Sequence, residues 1–359
     1  MAMFYGGIAA AAGIGLLIYR GSLYEDDSNH DDSHVPSKFY SEYMAKLADT
    51  AKGKTIVITG STQGLGLIFA KAAAKLGASK LILLNRRTSS ADVLAEIEAA
   101  GKAKIVEIIC DQMEFASVRK AAAAVIKECG SGGLDVLCCN SGIMAVAEAG
   151  TVDGYDVQMQ TNHLGHFLLT KLLMPSLEAA ADKKGDARVI THTSGARHMG
   201  GATQKKYFEK WTMPGSLGGD GRSMIPPSGP WVRYAQTKLA NLTFAFALAK
   251  KQSKVKALSA CPGISITNLQ KTAHKKGNGM RNFDLFVARK MSHSNKDATL
   301  PLITAAFSPE AVSGTLYVPR DGEWGPPKAA PEKGEKNAMD ASQQEMLWAA
   351  SESAVGEKF

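Results

Sequence analysis

The chain has 359 residues, 45% of them apolar, which is enough to bury a substantial core and excludes a disordered chain. Lys and Arg outnumber Asp and Glu by 42 to 34, a moderate surplus that suits a phosphate-bearing cofactor or an anionic membrane surface. No basic run is interleaved with aromatics, so no nucleic-acid partner is expected, and the odd set of five cysteines without CxxC spacing argues against a disulfide framework or a zinc site.

Residues 1–20 carry no charged side chain before Arg20, and Met3–Tyr19 is apolar and rich in Ala and Gly. At about 1.5 Å per residue such a run spans roughly the 30 Å bilayer core. A membrane anchor is expected here, with a cleaved targeting peptide or a docked apolar lead-in as the alternatives. Arg20 favours the cytoplasmic side for the rest of the chain; endoplasmic reticulum, lipid droplet and plastid are not distinguished. Residues 21–52 read as a polar linker. His30 and His34 lie there among aspartates, but solvation explains them and no metal is expected.

From residue 53 short β runs alternate with helical spacing. The β runs are Thr55–Thr59, Leu81–Leu84, Ile105–Cys110, Val136–Cys139, Val189–Thr191, Val255–Ala260 and Thr315–Val318. This alternation predicts an α/β fold with a doubly wound parallel sheet, a Rossmann fold, as one catalytic domain over residues 53–320. Residues 321–359 are expected to form a Pro- and Gly-rich loop over 320–337 and a terminal helix over 341–354.

The first β run enters Thr59-Gly60-Ser61-Thr62-Gln63-Gly64-Leu65-Gly66 and then a helical stretch from Leu65 to Leu76. Glycines between strand and helix form a phosphate cradle: Gly60 for the turn, Gly64 for close backbone approach, Gly66 for helix–strand packing, with the helix N-terminus facing the anion. The next β run ends Leu84-Asn85-Arg86-Arg87, without the carboxylate that an NAD-selective site places against the ribose 2′-hydroxyl. Arg86, with Arg87 beside it, can hold a 2′-phosphate, so the expected cofactor is NADP(H).

Further along stand Asn140-Ser141-Gly142, Asn162, Ser194, Tyr234-Ala-Gln-Thr-Lys238 and Pro262-Gly263. In this order and spacing, with the glycine turn, they resemble the short-chain dehydrogenases/reductases over residues 53–320. The runs Thr161–Phe167 and Lys238–Asn241 resemble the retinol-dehydrogenase-like branch and the neighbouring protochlorophyllide-reductase branch. Tyr234 and Lys238, four apart, share a helix face, and the ammonium is expected to pull the tyrosine pKa down. The resemblance implies Tyr234 as general acid/base and Lys238 on the nicotinamide ribose. It also implies Ser194 on the substrate oxygen and Asn162 kinking its helix and anchoring a relay water. It places Ser61 and Leu65 with the glycines at the cofactor, Asp111 at the adenine, Asn140 and Gly142 along the cofactor, and Pro262, Gly263 and Thr267 at the nicotinamide end. Asp111 as a helix cap is the structural alternative.

Two departures stand out. Cys139-Asn140-Ser141-Gly142 replaces the common Asn-Asn-Ala-Gly, and Thr193-Ser194 replaces a serine pair. Ser194 and Tyr234 are separated by 39 residues rich in Gly, Pro and aromatics, read as an extended loop over the substrate pocket, with residues 268–295 as a second cover. The expected function is hydride transfer between NADP(H) and a lipophilic carbonyl or alcohol of retinoid, steroid or fatty-aldehyde type. Light-dependent protochlorophyllide reduction is an alternative, as is a non-catalytic NADP(H)-binding sensor, against which the intact Asn162, Ser194, Tyr234 and Lys238 set argues. Many relatives of this kind pair through the helices holding Asn162 and Tyr234 while the retinol-like branch varies, so the resemblance leaves a homo-oligomer open as a partner state.

Overall fold

The computed structural model describes residues 35–221, 223–267, 269 and 290–359. The apolar residues 1–20, His30 and His34, and Lys271, Lys275 and Lys276 of the expected second cover lie outside them. Among the described residues no helix is long and apolar enough to cross a membrane.

One sheet organises the chain. Its strands are β1 Thr55–Thr59, β2 Lys80–Asn85, β3 Lys104–Ile109, β4 Val136–Cys139, β5 Arg188–His192, β6 Lys256–Ala260, β7 Leu316–Pro319 and β8 Pro327–Ala329, in the order β3-β2-β1-β4-β5-β6-β7-β8. β1 to β7 are parallel. The doubly wound Rossmann architecture expected from the alternating pattern is therefore present. Successive residues point to opposite faces. Ile56, Ile58 and Cys138 join one core, and Val57 and Cys139 the other. Both faces are covered, which is why these strands read as unbroken apolar runs.

Helices α1 Tyr40–Lys46, α2 Gly64–Lys75, α3 Ala91–Ala100 and α7 Asn295–Phe307 contribute to the first core. Helices α4 Phe115–Cys129, α5 Gly165–Lys184, α6 Gly229–Lys251 and α8 Ala341–Val355 contribute to the second. α8 occupies the place expected for a terminal helix and buries Leu347 and Trp348.

Two expectations need correcting. The 21–52 stretch is not all linker: α1 lies within it and buries Met44, with Leu47 and Ala51 following into the core. Its N-cap residue, Phe39, gives no side-chain cap, and the local Ser37 Oγ accepts only from the Tyr40 N–H at 3.3 Å. Instead the buried Asp297 carboxylate accepts from the Lys38, Phe39 and Tyr40 N–H groups and the Ser37 hydroxyl, a remote cap that local spacing does not reveal. The 320–337 stretch is not all loop either: β8 pairs antiparallel with β7. Pro327 is tolerated because it opens an edge strand, where a missing N–H costs little.

Winding reverses between β1 and β4, so the carboxyl ends of these neighbours flank the crevice where doubly wound sheets bind ligands. Before α5 the helix loosens into a π turn over Gln160–Leu164, with Asn162 at its centre. Such turns widen a helix and free local backbone groups.

Candidate active site

A cleft of about 500 Å³ opens over the carboxyl ends of the strands. Of the sequence-selected residues, Gly60, Gly64, Leu65, Gly66, Arg86, Asp111, Asn140, Gly142, Ser194, Tyr234, Lys238, Pro262, Gly263 and Thr267 all line it. Ser61 and Asn162 do not. Ser61 is fully buried, its N–H donating to Asn85 Oδ1 at 2.8 Å. Asn162, also fully buried, supports the wall from behind.

The glycine turn is shaped by close approach. Gly60 has φ +73°, the left-handed region, and a Cβ there would lie 2.8 Å from Ser141 Cβ. A Cβ on Gly66 would lie 2.0 Å from the Gly60 carbonyl oxygen and 2.6 Å from Asn140 Nδ2. Asn140 spans the β1/β4 crevice: its Nδ2 donates to the Thr59 and Gly60 carbonyls, each at 3.0 Å. A turn with glycine at 60, 64 and 66, leading into the α2 N-terminus, fits a pyrophosphate, whose charge the helix end favours.

At the β2 end Asn85 turns back onto Ser61, while Arg86 and Arg87 are exposed. Asp111 Oδ1 accepts from the Met113 N–H at 3.0 Å, so it closes a local turn while lining the cleft. The N-cap position of α4 belongs to Glu114, not to Asp111.

At the other end, Tyr234 and Lys238 sit one turn apart on α6, both buried, and share the cleft wall with Ser194. Lys238 Nζ donates to the His192 carbonyl at 3.1 Å and lies 5.6 Å from the Tyr234 ring centroid. Burial holds Lys238 down at about 8, only partly opposed by Cys261. The expected lowering of the tyrosine is not what the structure shows. Burial pushes the Tyr234 phenol well above its usual range, and the neighbouring Ser194 side chain only partly counters this. The physical reason is desolvation: a dry site disfavours phenolate and ammonium alike, and it keeps the tyrosine protonated.

Asn162 acts through its amide. Oδ1 accepts from the Ile143 N–H at 2.8 Å, and Nδ2 donates to the Ile143 carbonyl and to Thr237 Oγ1, each at 2.9 Å. Its own carbonyl is met by His166 Nδ1 at 3.0 Å. The expected break in the helix is the π turn, and the side chain's polar atoms bond to protein.

The long segment before α6 divides. Tyr207 and Phe208 enter the helix core, against the expectation of a loop wholly over the pocket. Glu148 binds the segment through the Leu217 and Gly219 N–H groups, Trp211 Nε1 and Ser216 Oγ. Its later part reaches the site: Met224 packs against a buried cluster of Met144, Ala145, Trp231 and Tyr234, joined by Ala196, Met199 and Leu269.

Sequence reading missed several contributors. Arg197, buried, donates from Nη1 to the Ser194 carbonyl at 2.9 Å and from Nε to Glu335 Oε2 at 2.9 Å. His192 contacts Asn140 Oδ1 through Nδ1 at 2.9 Å. His166 contacts Thr59 and Ser141. The histidines stand beside recognised motifs, which is a signal of a kind; Glu335 lies 138 residues from Arg197 and carries none.

A parallel sheet with a glycine-lined crevice at its switch point, ending on a half-buried serine beside a buried tyrosine and lysine, defines a dinucleotide-binding enzyme. The family model described as short chain dehydrogenase matches residues 54–208. A short-chain dehydrogenase/reductase of Penicillium roqueforti is 30% identical over 312 residues, 84% of each chain. Mouse polyprenol dehydrogenase is 29% identical over 303 residues, 83% of this chain and 82% of that one. A solved structure from Mycobacterium paratuberculosis, 30% identical, covers 88% of this chain and 98% of its own with a TM-score of 0.63. The chain belongs to the short-chain dehydrogenase/reductase family. It is an oxidoreductase with a nicotinamide cofactor.

Proposed function

We propose that the protein uses NADP(H) and interconverts a lipophilic carbonyl and the corresponding alcohol, with Tyr234 as general acid/base. The observation that carries this is the pairing of Ser194 and Tyr234 in the wall of the cleft at its apolar end, with Lys238 one turn beyond. The cofactor supplies or accepts the hydride. In the reductive direction Tyr234, kept protonated by burial, donates its hydroxyl proton to the substrate oxygen, and Ser194 donates a hydrogen bond to the same oxygen. In oxidation Tyr234 accepts the proton. Lys238 holds the ribose and Asn162 braces the wall through Ile143. Gly60, Gly64, Leu65 and Gly66 carry the pyrophosphate, with Ser61 behind them on Asn85. Asp111 meets the adenine, Asn140 and Gly142 run along the cofactor, and Pro262, Gly263 and Thr267 flank the nicotinamide.

NADP(H) is favoured over NAD(H) by Arg86 and Arg87, which stand exposed at a strand end with no carboxylate in Leu84–Arg87. A lipophilic substrate is favoured by Met144, Met199 and Met224 around Tyr234, since thioether side chains adapt to bulky apolar groups. A polyprenol dehydrogenase among the relatives supports the same reading. We place the protein at a membrane through residues 1–20, with the catalytic domain on the cytoplasmic side.

The test is fluorescence titration of the full chain in detergent with NADPH and NADH, then an absorbance screen against polyprenyl, retinoid, steroid and fatty-chain carbonyls. Preferential NADPH binding and its oxidation by an apolar carbonyl are expected. Binding of neither nucleotide, or turnover only with small polar carbonyls, would overturn the reading.

A further inference from the structure

His166 lies outside the residues given a role above, yet it is almost wholly shielded from solvent and meets three separate elements of the site. Its Nδ1 lies 3.0 Å from the Asn162 carbonyl, at the centre of the π turn. Its Nε2 lies 2.9 Å from Thr59 Oγ1, where β1 runs into the glycine turn, and 3.1 Å from Ser141 Oγ, in the loop after β4.

The tautomer follows from the partners. A carbonyl can only accept, so Nδ1 carries the proton. Thr59 Oγ1 already accepts from the Asn140 and Ser141 N–H groups, at 3.0 and 2.9 Å, and of the two acceptors within reach of its own proton, His166 Nε2 at 2.9 Å is far better placed than the Cys138 carbonyl at 3.5 Å. Nε2 therefore accepts, and the ring is neutral. Burial holds the imidazole down at about 4, and Lys238 repels its charged form. The same geometry accounts for one departure from the common motif: where alanine is usual, Ser141 supplies a hydroxyl that finds Nε2.

We infer that His166 is a positioning residue with two separable duties, tying the cofactor turn through Nε2 and the Asn162 segment through Nδ1–H. The Nε2 side holds Thr59 and Ser141, and through Thr59 the backbone of Asn140, so it governs the shape of the nucleotide cradle. The Nδ1 side holds the π turn, whose Asn162 side chain braces Ile143 and Thr237, one residue before Lys238. Each duty faces a different observable: cofactor affinity on one side, turnover on the other. The inference rests on the nicotinamide site proposed above.

The experiment uses the full chain and two shape-selective variants. His166→Gln presents an acceptor near the Nε2 position and gives up the Nδ1 donor; His166→Asn presents a donor near Nδ1 and gives up the Nε2 contacts. For His166→Gln we expect kcat to fall about tenfold with NADPH Kd changed by less than about threefold, and the reverse split for His166→Asn. A parallel loss of both quantities in both variants, tracking a lowered melting temperature, would reduce His166 to a packing residue and overturn the inference. Unchanged kinetics in both would do the same. Should the variants fail to fold, nitrogen NMR of the histidine rings in the unaltered protein decides: a protonated Nδ1 with a bare Nε2 on His166 is expected, and the opposite tautomer removes the basis of the argument. An unaltered protein that binds neither nucleotide fails the functional reading itself, a result distinct from any of these and one that takes this inference with it.

Discussion

Arg233 Nη1 lies 3.2 Å from Glu148 Oε2, with both side chains wholly closed off from solvent. The guanidinium also meets Asp156 Oδ2 at 3.5 Å and Asp220 Oδ1 at 3.2 Å, and donates to the Val146 and Gly219 carbonyls. Glu148 in turn binds four groups of the long segment before α6. One residue before Tyr234, a buried charge thus ties that segment to the helix bearing the candidate proton donor. Removing the guanidinium leaves the buried Glu148 and Asp156 without their counter-charge, while Asp220, half exposed, can turn to water. Arg233→Met is expected to cost about 3–5 kcal/mol of stability, read from urea denaturation. A loss below about 1 kcal/mol would show that solvent reaches Glu148 and Asp156 once the guanidinium is gone.

Tyr234→Phe keeps the ring on α6 and leaves Lys238 in place but deletes the hydroxyl that meets Ser194. Turnover should fall by about 10²–10⁴, the usual contribution of a positioned acid, while NADPH affinity stays nearly intact. Steady-state kinetics beside fluorescence titration check this. Retained activity would remove Tyr234 as the proton donor.

Arg86→Ala should raise the Kd for NADPH by about tenfold or more and leave that for NADH within about threefold, because only the 2′-phosphate needs the guanidinium. Equal weakening of both nucleotides would assign Arg86 to general attraction rather than to phosphate selection.

Lys238 links catalysis to stability. Its folded pKa of about 8 lies below the ordinary 10.5, so unfolding takes up a proton between those values. A lowered folded pKa means that stability is fully present above about 10.5 and is lost as pH falls through about 8. At pH 7 the charged lysine therefore costs about 3 kcal/mol relative to a solvated one, since each tenfold loss of proton affinity is worth about 1.4 kcal/mol. Lys238→Met is expected to be inactive yet more stable by about 1–3 kcal/mol at pH 7, with the gain shrinking between pH 8 and 10.5. Thermal melts of both proteins across that range test it. A variant less stable at every pH would show that the hydrogen bond to the His192 carbonyl outweighs the burial cost.

The parts legible in the sequence are those set by neighbours along the chain. The strands announced themselves as continuous apolar runs because both sheet faces are covered. The glycine turn was readable because the left-handed backbone at Gly60 and the Gly60 carbonyl pressed against Gly66 belong to the βα turn itself, whereas the crowding by Ser141 and Asn140 comes from the loop after β4. Helix α1 was not readable, since its capping carboxylate is Asp297, more than 250 residues away. Edge strand β8 hid in a Pro- and Gly-rich stretch. Tyr207 and Phe208 gave no sign of whether they would face the pocket or the helices.

The order and spacing of Gly60, Asn140, Asn162, Ser194, Tyr234 and Lys238 determined by themselves that this is a doubly wound short-chain dehydrogenase/reductase. Sheet periodicity and helix pitch are local properties, and a motif in order records them. Tertiary structure alone decided how the site is held and charged. Asn162 turns its amide to Ile143, Arg197 reaches Glu335, His166 joins three elements, and Tyr234 is pushed up rather than down. Each depends on which distant groups close over a residue and how much water they exclude, and burial energy has no sequence spacing.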